Sequence, residues 1–305
     1  MSIDPAGRVA RSTGSPHSET RRHAPIRTFL HTDDGVTIDS VYDPPSLVYD
    51  ASRPPARDLV FVIAHGFTGD VDRPHVRRVV NAFTRYGAVV TFSFRGHGAS
   101  GGRSTVGDRE VLDLAAAVAW ARELGHARVV TVGFSMGGSV ALRHAALYRP
   151  DGGPDGPVSE GLTGREGIMG REGRTDGYPD AVVSVSAPAR WYYRGTAPMR
   201  RLHWLVTRPE GRLVSRYGFR TRIHDREWDP VPLSPVEAIP RIAPTPLLIV
   251  HGDRDGYFPL DHPRMLAQAA GDHGELWIEP MGHAEHAADD ELLGRIGDWA
   301  VTAGG

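Results

Sequence analysis

Apolar residues in this chain fall into short unbroken runs, separated by stretches in which they recur at helical spacing. Asp58 to Ala64, Ala88 to Phe94, Arg128 to Val132, Ala181 to Ser186, Leu247 to Val250 and Leu276 to Glu279 are runs of the first kind. They are short and rich in β-branched residues, as expected of strands buried on both faces. Between them, helices are expected over about Pro74 to Tyr86, Asp108 to Leu124, Pro263 to Ala270 and Asp289 to Val301. Ahead of this alternation, Ile26 to His31 and Val36 to Tyr42 flank Asp33-Asp34-Gly35, a turn signal that predicts a hairpin. Strands alternating with helices define an α/β class with a mostly parallel sheet covered on both faces.

Three stretches break the rhythm. Residues 1–25 are polar and read as a disordered tail. Residues 150–178 hold a near-repeat, Gly164-Arg165-Glu166-Gly167 and Gly170-Arg171-Glu172-Gly173, and read as a flexible glycine-rich insertion. About 60 residues separate the strand at Ala181 from the one at Leu247, where a crossover needs only about a dozen. Residues 189–244 are therefore expected to form a small, mainly helical cap, with Trp191, Tyr192, Tyr193, Trp204, Tyr217, Phe219 and Trp228 packing a cluster of their own. The core is then 26–188 together with 245–305.

The stretch Ala127 to Leu147 joins a buried strand to a helix through Gly133-Phe134-Ser135-Met136-Gly137. This is the G-x-S-x-G nucleophile elbow, in which flanking glycines let strand and helix approach while the serine is held in a strained turn facing a cleft. The letters alone are weak in a chain with 36 glycines, and Gly98-Ala99-Ser100-Gly101-Gly102 matches them too. Only Ser135 has an apolar helix directly behind it.

Composition narrows the chemistry. The chain has no cysteine, and all 35 of its basic residues are arginine. Disulfides, thiolate catalysis, Schiff-base lysines and a P-loop lysine are thereby excluded. A formal charge of −2 gives no global reason to expect nucleic acid as a partner. The N-terminal residues have no apolar signal core, and no stretch reaches the ~20 apolar residues of a membrane helix. The expectation is a cytoplasmic protein without a transmembrane segment.

His65-Gly66-Phe67, Arg95-Gly96-His97-Gly98, Gly133 to Gly137, Gly252-Asp253-Arg254-Asp255 and Gly282-His283 occur in one order along the chain. In this the sequence resembles the α/β-hydrolase superfamily of serine hydrolases, over about Asp58 to Val301 less the insertion and most of the cap. The resemblance implies a nucleophile at Ser135, an acid in the Gly252 loop and a base after the last strand. Asp255 and Asp253 are both available as the acid, and the family's spacing of three residues after Gly252 favours Asp255. His283 is the expected base, with His286, His251 and His273 as competitors and His286 placed at the start of the last helix. The resemblance assigns the oxyanion hole to the backbone N–H groups of Phe67 and Met136 and makes Arg95 to Gly98 structural.

These residues imply cleavage of a carboxylic ester or related acyl bond in a small-molecule substrate, with no metal and no organic cofactor. The same set would serve acyl transfer or amide cleavage, and the fold also carries non-catalytic binding proteins. Ala189 to Pro230 holds ten arginines against Glu210, Asp225, Glu227 and Asp229. That surplus reads as a solvated face whose arginine stems cover aromatics, with attraction of anionic substrates as the alternative.

Overall fold

The apolar runs pair side by side in the computed structural model, which describes residues 24–47, 55–149 and 177–303. The tail through residue 23 and the glycine-rich segment 150–176 lie outside the described residues. Eight strands form one sheet: β1 (Ile26–His31), β2 (Thr37–Asp43), β3 (Leu59–Ala64), β4 (Ala88–Phe92), β5 (Arg128–Phe134), β6 (Ala181–Val185), β7 (Leu247–Gly252) and β8 (Gly274–Glu279). Their order is β1-β2-β4-β3-β5-β6-β7-β8. The hairpin β1–β2 and the β2–β4 pair are antiparallel, and every later pair is parallel. β4 is shorter than its apolar run. The Ser93 N–H still donates to the Asp39 carbonyl of β2 at 2.8 Å, but at Phe94 the N–H turns to His65 Nε2 at 3.0 Å.

Side chains alternate across this sheet, so the parallel strands feed two cores, one on each face. Val60, Val62 and Ala64 of β3 pack with α2 (Glu110–Glu123), α3 (Met136–Leu147) and α7 (Asp261–Ala270). Leu59, Phe61 and Ile63 of the same strand face the opposite layer, α1 (Pro74–Phe83) and α9 (Asp290–Ala303). Phe61 stacks on Phe83 there with ring centroids 4.7 Å apart.

The cap interval supplies α4 (Ala197–Thr207), α5 (Pro209–Gly218) and the short α6 (Pro235–Ala238). The aromatic cluster expected of it forms in part, since Trp191 and Tyr192 both pack on Trp228, the second at 5.6 Å. Trp191 packs on Trp228 at 5.1 Å and Tyr193 on His262 at 4.5 Å. Trp204, Tyr217 and Phe219 remain exposed, because α4 and α5 pack mainly on each other and have too few apolar neighbours to cover the rings. The interval is instead tied down by backbone. Residues 221–224 exchange hydrogen bonds with the turn after β4: Arg222 N–H to the Gly96 carbonyl at 2.8 Å, and Ser104 N–H to the Arg222 carbonyl at 2.7 Å.

The chain leaves β3 toward β4 on one side and returns to β5 on the other. In an open parallel sheet, ligands bind beyond the carboxyl ends of strands at such a reversal. The loop at His65 and the turn at Ser135 stand at those two ends.

Candidate active site

Ser135 follows the last residue of β5 and precedes α3. Its φ of 52° is a left-handed conformation that β-carbon sterics disfavour, so surrounding structure must hold it. The neighbouring glycines explain how strand and helix come close enough to do so. A β-carbon on Gly133 would collide with the Gly137 carbonyl, and one on Gly137 would collide with the Ala64 carbonyl of β3. The turn also aims the N-terminus of α3 at the space in front of Ser135, where a partial positive charge favours a developing oxyanion.

The acid and base loops arrive from the ends of β7 and β8. Gly252 is required where they meet, since a β-carbon there would strike the carbonyls of Met281 and Gly282. His283 Nδ1 lies 2.7 Å from Asp255 Oδ2, and its Nε2 lies 2.9 Å from Ser135 Oγ. Asp255 Oδ1 also accepts the N–H groups of Tyr257 (2.8 Å) and Phe258 (3.1 Å). Burial alone would raise the Asp255 pKa, but the His283 bond and the two backbone donors outweigh it and hold it below the usual carboxylate value. An ionised Asp255 can only accept, so His283 carries its proton on Nδ1. Its Nε2 then offers a lone pair to the Ser135 hydroxyl.

The other acid and histidine candidates fall elsewhere. Asp253 is exposed and pairs with Arg254 at 3.4 Å. His251 is buried behind Asp255, with Nε2 donating to the Phe258 carbonyl at 2.9 Å. His273 precedes β8, at the opposite edge of the parallel strands. His286 is not at the start of the last helix. It lies on a separate turn, α8 (Ala284–Ala287), because α9 begins only at Asp290. The second G-x-S-x-G match buries Ser100, whose Oγ donates to the Ser93 carbonyl at 2.5 Å and accepts the Asp39 N–H at 2.9 Å.

Phe67 and Met136 lie at the two strand ends that flank the switch, and no acceptor for either N–H is seen among the described residues. A buried polar network fixes the Phe67 loop. His65 Nε2 accepts the Phe94 N–H, so its proton is on Nδ1, which donates to the Gly66 carbonyl at 2.6 Å. His97 bonds the Phe67 carbonyl through Nε2 and the Arg95 carbonyl through Nδ1. Arg95 is itself buried against Asp113, with Nη2 to Oδ1 at 2.7 Å, and reaches Asp34 Oδ2 at 2.7 Å through Nη1. Arg95 to Gly98 thus braces the loop from behind, and its imidazole faces away from Ser135 toward carbonyls.

Tyr257 was not legible as part of the site. Its ring stacks on His283 with centroids 4.2 Å apart and planes 25° apart. The only sequence clue was its position two residues after Asp255.

The eight-stranded, mostly parallel sheet with a strained strand–turn–helix elbow at its switch point is the architecture of the α/β-hydrolase fold. The chain belongs to the alpha/beta hydrolase family, whose model matches residues 59–294. Its fold is similar to the Pyrococcus furiosus esterase Pf2001, with 21% identity, TM-score 0.64, and 99% of this chain and 100% of that one covered. It is also similar to the α/β hydrolase GrgF of Penicillium sp. sh18, at 17% identity, TM-score 0.61 and coverage of 92% and 99%. A third likeness is to XC6422 of Xanthomonas campestris, described as a serine hydrolase without lid, at 18% identity, TM-score 0.54 and coverage of 90% and 91%. At these identities the likeness is one of fold. Among the described residues, no helix is long and apolar enough to cross a membrane.

Proposed function

We propose that this protein is a serine hydrolase that cleaves a carboxylic ester or closely related acyl bond of a small-molecule substrate through an acyl-enzyme on Ser135. The observation that carries the reading is the unbroken chain from Asp255 through His283 to Ser135 Oγ, at 2.7 and 2.9 Å.

A serine hydroxyl is a poor nucleophile near neutrality, so His283 Nε2 takes its proton as Oγ attacks the acyl carbon. The negative charge on the acyl oxygen is met by the N–H groups of Phe67 and Met136. His283 returns the proton to the leaving alkoxide, and Asp255 stabilises the imidazolium in between. Water then repeats the sequence on the acyl-enzyme, releasing the acid and restoring Ser135. Each group in this scheme is a protein group, and Ser135 and His283, both only partly buried, can be reached from outside.

The test is a series of p-nitrophenyl esters of increasing chain length, run with wild type and Ser135→Ala. The expected result is turnover by wild type and a loss of at least about 10⁴-fold in the variant. A fluorophosphonate probe should label wild type and leave the variant unlabelled. Retained esterase activity in Ser135→Ala would sink the reading.

A further inference from the structure

A second cluster lies behind the site, where α1 meets the turn that follows His283. His75 of α1 comes together with Glu285 and His286 of α8, and their ligand atoms all lie within 4.8 Å of one another. His75 Nε2 is 3.8 Å from Glu285 Oε1, and the two imidazole rings are 3.9 Å apart between centroids. The Glu285 side chain is only 5% exposed, that of His75 is 19% exposed, and His286 is at the surface. A carboxylate enclosed beside two crowded imidazoles is an awkward arrangement for packing alone. It is a common donor set for a divalent transition metal.

The surroundings hold these groups in place. Glu285 Oε1 accepts the Gly66 N–H at 3.0 Å, which orients the carboxylate as outer-shell bonds do in metal sites. Arg78 lies three residues after His75 on the same face of α1. Its Nη2 donates to the carbonyls of Glu285 (2.8 Å) and Ala288 (2.6 Å), and its Nη1 to Asp290 (3.2 Å). One face of α1 therefore supplies a ligand and pins the turn that supplies the other two. Arg73, the other cation nearby, is paired with Asp70 at 3.3 Å.

We infer that His75, Glu285 and His286 bind one divalent metal ion of the zinc class, with the remaining coordination completed by water on the His286 side. Zinc–ligand lengths of about 2.0–2.2 Å set ligand atoms roughly 3.3 Å apart, a closure that takes rotation of the exposed His286 side chain together with a small approach of His75 Nε2 to Glu285 Oε1 from their 3.8 Å separation. The site is independent of the chemistry at Ser135 and stands whether or not the protein is an esterase. A bound ion would join α1, the turn after His283 and, through Glu285, the loop that leads into Phe67.

The experiment is calorimetric titration of ZnCl₂ into chelator-stripped full-length protein, repeated for His75→Ala, His286→Ala and Glu285→Gln. The last variant keeps an acceptor for the Gly66 N–H, and His286 is a surface residue, so neither threatens the fold. Wild type should bind one equivalent that each variant weakens at least about tenfold. Its melting temperature should rise by about 5 °C at a hundredfold excess of metal over Kd. No binding by wild type would overturn the proposal. So would an equivalent that survives all three variants unchanged, or weakening confined to one histidine.

Discussion

Gly137 in the first turn of α3 and Ala64 at the end of β3 approach so closely that an added methyl group on Gly137 would overlap the Ala64 carbonyl and stand 2.7 Å from the His65 carbonyl oxygen. This contact locks the elbow to the loop that carries Phe67. Both obstructing atoms are backbone, so neither can rotate away. Gly137→Ala should cost about 3 kcal/mol or more, at or above the usual overpacking penalty. Urea denaturation of the variant beside wild type measures it, and a loss below about 1 kcal/mol would show that the contact has slack.

Asp255 and Asp253 differ by two positions and should differ by orders of magnitude in effect. Asp255→Asn keeps the shape but lets His283 carry its proton on the wrong nitrogen, so kcat should fall by roughly 10⁴-fold. Asp253→Asn, on the exposed side of the loop, should leave kcat within about twofold, as surface changes usually do. Steady-state kinetics on one ester separates the two.

The ring of Tyr257 stacks on His283 and would help to hold the imidazole in place. Aromatic pairs are worth about 0.5–1.5 kcal/mol beyond their buried area, so Tyr257→Ala should lower kcat by roughly 2–10-fold. KM should move less, and Tyr257→Phe, which keeps the ring, should restore the rate. A drop in kcat that Phe does not rescue would assign the effect to the hydroxyl.

How much of this was legible beforehand follows from sequence distance. The elbow reads from a single stretch because strand, turn and helix are contiguous, while Asp255 was preferred to Asp253 only on the spacing after Gly252 that the family resemblance implies. The stack of Tyr257 on His283 depends on how two loops lean together, which no local pattern encodes. His75 and Glu285 are far apart along the chain, and the paired carboxylate and cysteine patterns that mark many metal sites are absent from both segments. Of the cap's aromatics, Trp191, Tyr192 and Trp228 cluster while Trp204, Tyr217 and Phe219 stay exposed, because a count of rings says nothing about how many apolar neighbours reach each one.

Acid should unfold the protein through its buried histidines. Burial holds His144 near a pKa of about 3 and His262 near about 4, and it drives His65 well below the usual histidine range. Each of these groups has a folded pKa below its unfolded value near 6.5, so the unfolded chain binds more protons as pH falls below about 6.5. Stability is therefore fully present above that pH and declines toward pH 3 for His144. Removing the group should flatten this limb by up to about 1.4 kcal/mol per pH unit. His144→Leu, similar in volume, should change stability at pH 8 by less than about 1.5 kcal/mol and melt later than wild type relative to its own pH 8 value when both are scanned at pH 4.5. Parallel pH curves for the two proteins would refute the assignment.

The backbone bonds between residues 221–224 and the turn after β4, with the Val236 N–H to Ala189 carbonyl bond at 3.1 Å, fasten both ends of the interval that holds α4 and α5. The helices strung between these posts are themselves bonded to what lies around them: the Thr221 N–H donates to the Ser215 carbonyl of α5 at 3.0 Å, and Thr196 Oγ1 donates to the Tyr257 carbonyl, two residues beyond Asp255, at 2.9 Å. A change of sequence in α4 or α5 therefore has a short mechanical route to the loop that carries Asp255.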